Sequence, residues 1–266
     1  FLEKDEIALF PNQFVMLVSL ANEKKTALAR FFNYRKPLGH IIDYSSKKWK
    51  IKSRNKEQDF ALNLLMDPKV NIITLIGPAG TGKTMIALYA GLCQAVDDWH
   101  TVIPKQAQYN RLIVTRPIQP MGKDIGYLPG TLEEKMSPWV APINDNLQFL
   151  LGNGRDSLKE YVNEGIIEIE ALTYIRGRSI NNAFIVVDEI QNMTAHELKT
   201  VITRVGENSK IVLMGDIEQI DNVYIDETTN GLTYAVEKFK KHDIAGHITL
   251  TRGERSKVAT LAAKIL

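Results

Sequence analysis

The stretch NIITLIGPAGTGKTMIA, residues 71–87, constrains the fold more than any other. An apolar, β-branched run stops at Gly77-Pro78-Ala79-Gly80-Thr81-Gly82, and a helix-forming run resumes at Lys83-Thr84. Neither a strand nor a helix gains from glycines crowded around a proline, because glycine adds backbone freedom and proline removes an N–H. The break therefore serves something other than packing. It matches GxxxxGK[ST] in the setting the motif needs, directly after a strand and opening a helix. Glycines let successive N–H groups point inward, and the helix start adds the positive end of its dipole, which makes a nest for a β-phosphate. Lys83 adds a cation towards the β and γ oxygens, and the Thr84 hydroxyl is a ligand for Mg²⁺. A solvated Gly-rich turn is the plain alternative, and the flanking strand and helix argue against it.

The rest of the chain reads as a frame for that loop. From Glu57 the pattern gives a helix (58–66), a strand (71–76), a helix (83–96) and strands at 111–115, 166–171 and 184–187. It continues with a helix (195–205), a strand (210–214), a helix (232–241), a strand (247–250) and a last helix. Continuous β-branched strands between helices imply a parallel sheet buried on both faces, an α/β doubly wound core. Thr194-Ala195-His196-Glu197 is a capping box that fixes the start of its helix. Upstream, β-like runs at 14–20 and 38–44 suggest a small strand-rich element over residues 1–52, set before a main domain over 53–266. The stretch from Pro117 to Pro138 is long for a connection, and its apolar residues predict a folded loop.

Composition narrows the function classes. With 33 Lys and Arg against 31 Asp and Glu, the chain is no bulk polycation, so anion binding must be local. KKWKIKSRNK packs Lys47, Lys48, Lys50, Lys52, Arg54 and Lys56 around Trp49; a solvated face or linker accounts for this as well as nucleic-acid contact does. A single cysteine, Cys93, excludes an internal disulfide framework and fits a reducing, cytoplasmic setting; it reads as a small buried hydrophobe. No apolar run reaches the ~20 residues of a membrane span, so a soluble protein is expected. The five histidines are scattered without ligand spacing. The chain starts at Phe1 in mid-pattern, which predicts a missing upstream portion.

Two further strand ends complete the chemistry. FIVVDE (184–189) is an apolar strand ending in two carboxylates, which at the carboxyl edge of a parallel sheet places Asp188 in the Mg²⁺ shell and Glu189 on the attacking water. Two acids capping the following helix is the alternative. Lys210 to Met214 ends in Gly215-Asp216-Ile217-Glu218-Gln219, where Gln219 is a candidate sensor of the γ-phosphate or its water.

Several longer motifs carry a family resemblance: RNKEQ (54–58), TRP (115–117) with DIGYLPGTLEEKMSPW, YIRGRS (174–179), FIVVDEIQNM, MGDIEQID and GERS (253–256). Together they resemble a superfamily 1 helicase-type, RecA-like P-loop NTPase core and, more closely, the PhoH family, from about Lys52 to the end. The resemblance implies an ATPase using ATP and Mg²⁺, with the phosphate loop Gly77 to Thr84 as cradle. Gln58 is similar to a glutamine that reads the adenine edge, against a solvent-facing helix residue as the alternative. Arg255 resembles an arginine that stabilises the γ-phosphate, against a helix-entry salt bridge. Arg116, with Lys123 and Tyr127 on the following loop, resembles the family's motif facing nucleic acid, here single-stranded RNA. Arg176 and Arg178 could face RNA, a neighbouring subunit or the nucleotide. The family is associated with ring-shaped homo-oligomers, commonly hexamers, and NQFVMLV and KTALARF resemble the connector of members carrying an upstream PIN ribonuclease domain. With one P-loop core and no second motor domain in the sequence, Arg255 must act in cis or across a subunit interface. The leading expectation is an ATPase that unwinds or remodels RNA. A nucleotide-gated oligomerisation module and the ATPase half of a PIN ribonuclease are the alternatives, and a small-molecule kinase is weaker.

Overall fold

The computed structural model describes residues 8–44, 51–96, 108–117, 132–152, 155–172, 179–222 and 224–253, with side chains described throughout except at 132–139 and 155–157. The chain opens with a hairpin, β1 (Phe14–Ser19) and β2 (Asn22–Arg30), paired antiparallel. There follow α1 (Lys56–Leu65), β3 (Ile72–Ile76), α2 (Lys83–Ala95), β4 (Arg111–Arg116), α3 (Leu132–Leu151), α4 (Arg155–Asn163), β5 (Ile167–Ala171) and β6 (Ala183–Val187). A short 3₁₀ turn (Ile190–Asn192) leads to α5 (Ala195–Ile202), β7 (Lys210–Gly215), α6 (Gly231–Phe239) and β8 (Ala245–Thr249).

Strands β3 to β8 form one sheet in the order β5-β4-β6-β7-β3-β8, and every pair in it is parallel. The two faces can be read along β6. Phe184 and Val186 join a core with Leu62, Leu65, Leu88, Leu92 and Leu147 from α1, α2 and α3, while Ile185 and Val187 join Leu198, Val201, Leu232 and Ala235 from α5 and α6. Burial on both sides is why the central strands carry no polar alternation. The expected doubly wound α/β core is what forms.

The amino-terminal expectation holds in part. The run at 14–20 is β1, but its partner is Asn22–Arg30, and residues 38–44 form no strand beyond a single bridge between Gly39 and Arg30. That segment is instead pinned to α1: the Asn63 amide bonds both the N–H (2.9 Å) and the carbonyl (2.8 Å) of Ile42, and Asp59 accepts from the Tyr44 N–H at 3.0 Å. The stretch read as a loop up to Pro138 already contains the start of α3, which runs from Leu132 through Pro138 and Pro142. The last helix, and residues 47–50 of the basic run with Trp49, lie outside the described residues.

A buried polar joint docks the hairpin on the sheet's amino-terminal side. Arg30 pairs with Asp67 at 2.8 Å and donates to Asn12 Oδ1 at 2.6 Å, and the Asn12 amide in turn donates to the carbonyls of Asp243 and Ala245. Lys210, wholly buried at the start of β7, donates to the carbonyls of Leu65 and Asp67 at 2.6 and 2.8 Å, closing the carboxyl end of α1.

Candidate nucleotide site

The phosphate loop follows β3 and opens α2, and its neighbours force its shape. Gly80 and Gly82 take φ of +81° and +89°, the left-handed region where an L side chain is strained. A Cβ on Gly77 would collide with the carbonyl of Leu250 at the end of β8, and the Gly77 N–H donates to Gly215 O at 3.2 Å at the end of β7. The loop is thus gripped by both strands that flank β3.

Around it the carboxyl ends of three strands converge on a cavity of about 280 Å³, lined by Lys83, Thr84, Asp188, Glu189, Asp216 and Gln219 among others. Thr84 Oγ1 lies 3.2 Å from Asp188 Oδ2, so the loop and the acidic strand meet across the sheet. Asp188 is anchored through its N–H to Thr115 O and accepts from the Glu189 N–H. Burial pushes its carboxyl upward, the Glu189 charge adds to this, and Arg116 and Lys83 oppose it. A carboxylate held in such surroundings beside a hydroxyl is a good ligand for a hard cation, which would stabilise its charge. With the glycine-shaped nest opposite, these residues fit a Mg²⁺-nucleotide.

Lys83 folds back on its own loop, its ammonium donating to the carbonyls of Gly77 and, at 3.1 Å, Pro78. The Ala79 N–H donates to Asp216 Oδ2 at 3.1 Å, so a carboxylate from the end of β7 caps part of the nest. Gln58 is buried with its amide on the loop: Nε2 donates to Thr81 O at 3.0 Å and Oε1 accepts from the Arg54 N–H at 2.8 Å. It is not the solvent-facing helix residue of the plain alternative.

Sequence reasoning misses four residues. Gln191, fully buried, donates to Glu189 Oε2 at 2.5 Å and to Gln219 O at 3.0 Å while accepting from the Asp216 N–H. Asn192 accepts from the Asp221 N–H at 2.8 Å, Asp216 caps the nest, and Asn146 of α3 lines the cavity. A signal for the first two is present, since two amides one residue after an acidic pair at a strand end are placed to bond its carboxylates and the neighbouring strand end. Lys123, Tyr127, Arg176, Arg178 and Arg255 lie outside the described residues. Among the described residues no group of three His, Cys, Asp or Glu could hold a further metal, and no helix is long and apolar enough to cross a membrane. Cys93 is buried, and burial pushes its thiol up to about 12, which makes it inert.

A family model described as PhoH-like protein matches residues 50–265. The chain belongs to the PhoH family. Protein PhoH2 of Bacillus subtilis is 48% identical over 261 residues, covering 97% of this chain and 57% of the relative. Protein PhoH2 of Mycolicibacterium smegmatis is 39% identical over 217 residues, covering 81% and 47% respectively. This chain therefore spans about half the length of these curated relatives. A Pif1 helicase structure from Candida albicans aligns with 80% of this chain and 43% of its own at 15% identity, with a TM-score of 0.39, a likeness too loose to carry an argument. Membership in the PhoH family goes together here with the strand–loop–helix cradle of the P-loop NTPase fold.

Proposed function

We propose that this PhoH domain hydrolyses ATP with Mg²⁺, binds single-stranded RNA and couples the reaction to RNA unwinding or remodelling. The observation that carries the reading is the 3.2 Å approach of Thr84 to Asp188, with Glu189 and Gln219 opening into the same cavity. Thr84 and Asp188 would hold Mg²⁺, which would supply charge stabilisation to the phosphoryl oxygens. The loop N–H groups from Ala79 to Thr84 take the β-phosphate, so the Ala79 N–H exchanges the Asp216 carboxylate for a phosphate oxygen, and Lys83 leaves its loop carbonyls for the γ-phosphate. Glu189 orients and deprotonates water, and Gln219, tied through Gln191 to Glu189, senses the γ-phosphate. Gln58 reads the adenine edge by giving up one of its loop bonds, and Arg255 stabilises the transferring phosphoryl, in cis or from a neighbouring subunit of a ring. Arg116 at the end of β4, with Lys123 and Tyr127 after it, faces the RNA.

Phosphate release from ATP, with and without single-stranded RNA, tests this for the parent, Lys83→Ala and Glu189→Gln. Glu189→Gln is expected to lose about 10²- to 10⁴-fold in kcat, the range of a general base. Parent-like hydrolysis by Glu189→Gln defeats the assignment.

One observation favours the second reading, a nucleotide-gated docking module. Met16, Leu17, Val18 and Leu20 are exposed at the hairpin tip, a run that a free surface rarely displays. That reading expects hydrolysis indifferent to RNA and association lost in Leu17→Asp, read by sedimentation.

A further inference from the structure

Glu189 is held more tightly than a residue that must orient water needs to be. Its backbone sits at φ +57°, a region costly for a side chain of its kind and kept only where the surroundings insist on it. Both its carboxylate oxygens are engaged, by side chains from opposite directions. Arg116 Nη2, from the end of β4, lies 3.2 Å from Oε1, and Gln191 Nε2, from the turn after β6, lies 2.5 Å from Oε2. An oxygen that already carries a guanidinium offers poor access to a water.

The two restraints differ in how they can be undone. Gln191 is fully buried and makes three bonds, to Glu189, Gln219 and Asp216, so releasing it means dismantling the loop after β7. Arg116 and Glu189 have side chains 27% and 29% exposed, so their pair stands at the surface and an anion can reach it. A pair of this kind contributes little, and a phosphodiester binds a guanidinium through two parallel hydrogen bonds that a single Nη2–Oε1 contact does not match.

We infer that Arg116 is a positioning residue that restrains Glu189 when no strand is bound, and that a phosphodiester of a single strand releases the carboxylate by capturing the guanidinium. The inference rests on Glu189 as the base, as proposed above. It gives the nucleic acid a route to the reaction that needs no second domain: the end of β4 touches the strand, and the neighbouring end of β6 holds the base. It also gives the fixed Gln191 contact a purpose. Once Oε1 is free, Oε2 stays anchored, so the carboxylate pivots about one point rather than swinging loose.

The test is steady-state phosphate release at saturating Mg²⁺-ATP for the parent, Arg116→Gln and Arg116→Lys, without nucleic acid and with a labelled 20-nucleotide single strand, of RNA or of DNA, whose binding is followed by anisotropy. Arg116→Gln is expected to raise the strand-free kcat by up to about fivefold, the factor matching the ~1 kcal/mol of a partly exposed pair, with KM for ATP unchanged. Its stimulation by the strand falls towards one. Arg116→Lys keeps a cation beside Glu189 but loses the forked contact to a phosphodiester, so its strand-free kcat should lie between those of the parent and Arg116→Gln and half-maximal stimulation should need more strand, a graded order that a merely structural role for Arg116 does not predict. Stimulation by either strand supports the inference, since both carry the phosphodiester, and the effective strand identifies the source. A strand-free kcat that is unchanged or lower in Arg116→Gln, while the strand still stimulates the parent, overturns the release step alone. Full hydrolysis by Glu189→Gln removes the base assignment, and the inference with it. A parent that binds neither strand overturns the trigger, even if Arg116→Gln is faster.

Discussion

Lys210→Met probes the joint at the foot of β7, and its signature is a pH dependence rather than a single stability value. The ammonium is wholly buried, and burial pushes it from the usual 10.5 to about 7, with Asp67 opposing and Arg30 adding to the effect. Between those two values the unfolded chain takes up a proton that the folded chain refuses. Parent stability therefore rises from pH 7 towards pH 10.5, with a slope of up to about 1.4 kcal/mol per pH unit. Methionine keeps the length and apolar stem but drops two hydrogen bonds. Leu65 O retains the Gln94 amide at 3.1 Å, while the Asp67 carbonyl loses its 2.8 Å donor, a cost of about 1–3 kcal/mol. Urea unfolding followed by circular dichroism at pH 7, 8 and 9 should find the variant weaker at pH 9. The gap should narrow by about 2–3 kcal/mol on going to pH 7. A gap that stays constant, or widens towards neutrality, refutes the account of Lys210 as an amine that burial strips of its proton in the folded chain.

Other outcomes follow from the same geometry. Gly82→Ala places a Cβ at φ +89° and 3.1 Å from Gln58 Nε2, so a loss of about 1–2 kcal/mol in thermal stability and at least a tenfold weaker hold on a fluorescent ATP analogue are expected. Asp188→Asn removes a carboxylate whose proton affinity burial has raised. In EDTA at neutral pH the variant should gain about 1 kcal/mol, an advantage that shrinks as pH falls and the parent carboxyl protonates, while Mg²⁺ no longer tightens nucleotide binding in titration calorimetry. Asn12→Ala cuts the ties to Asp243 O, Ala245 O and Arg30, and should cost about 1–3 kcal/mol by calorimetry with nucleotide affinity unchanged, because the joint lies at the other end of the sheet.

The parts of the fold legible in the sequence are those where one physical demand dominates a segment. β3, β6 and β7 are buried on both faces, so their apolar runs stand out, and the phosphate loop stands out because nothing else needs its glycines. Thr194 and Glu197 show the reciprocal capping bonds expected of them. β2 escapes a sequence reading because Asn22 to Leu28 are all exposed: NEKKTAL has no buried face to impose alternation, and the strand is set by its partner alone. The start of α3 is hidden because the prolines from Pro117 to Pro138 read as a loop, although the helix passes through Pro138. At the site, Lys83, Thr84, Asp188, Glu189 and Gln219 line one cavity. Gln191 and Asp216 stay hidden because their work is to hold other groups, and such a role shows only once partners from distant strands are in place.

β7 carries neither the lysine nor the acidic pair, yet it separates β3 from β6, and two interstrand steps of ~4.8 Å set a breadth of about 10 Å between the loop and the acidic edge. That breadth is a main-chain dimension. Side-chain changes along Lys210–Gly215, all buried, can loosen the floor beneath the triphosphate without altering how far apart its two walls stand. Divergence in this chain is thus free to rewrite rims and loops while the gauge of the slot stays fixed by the strand between its walls.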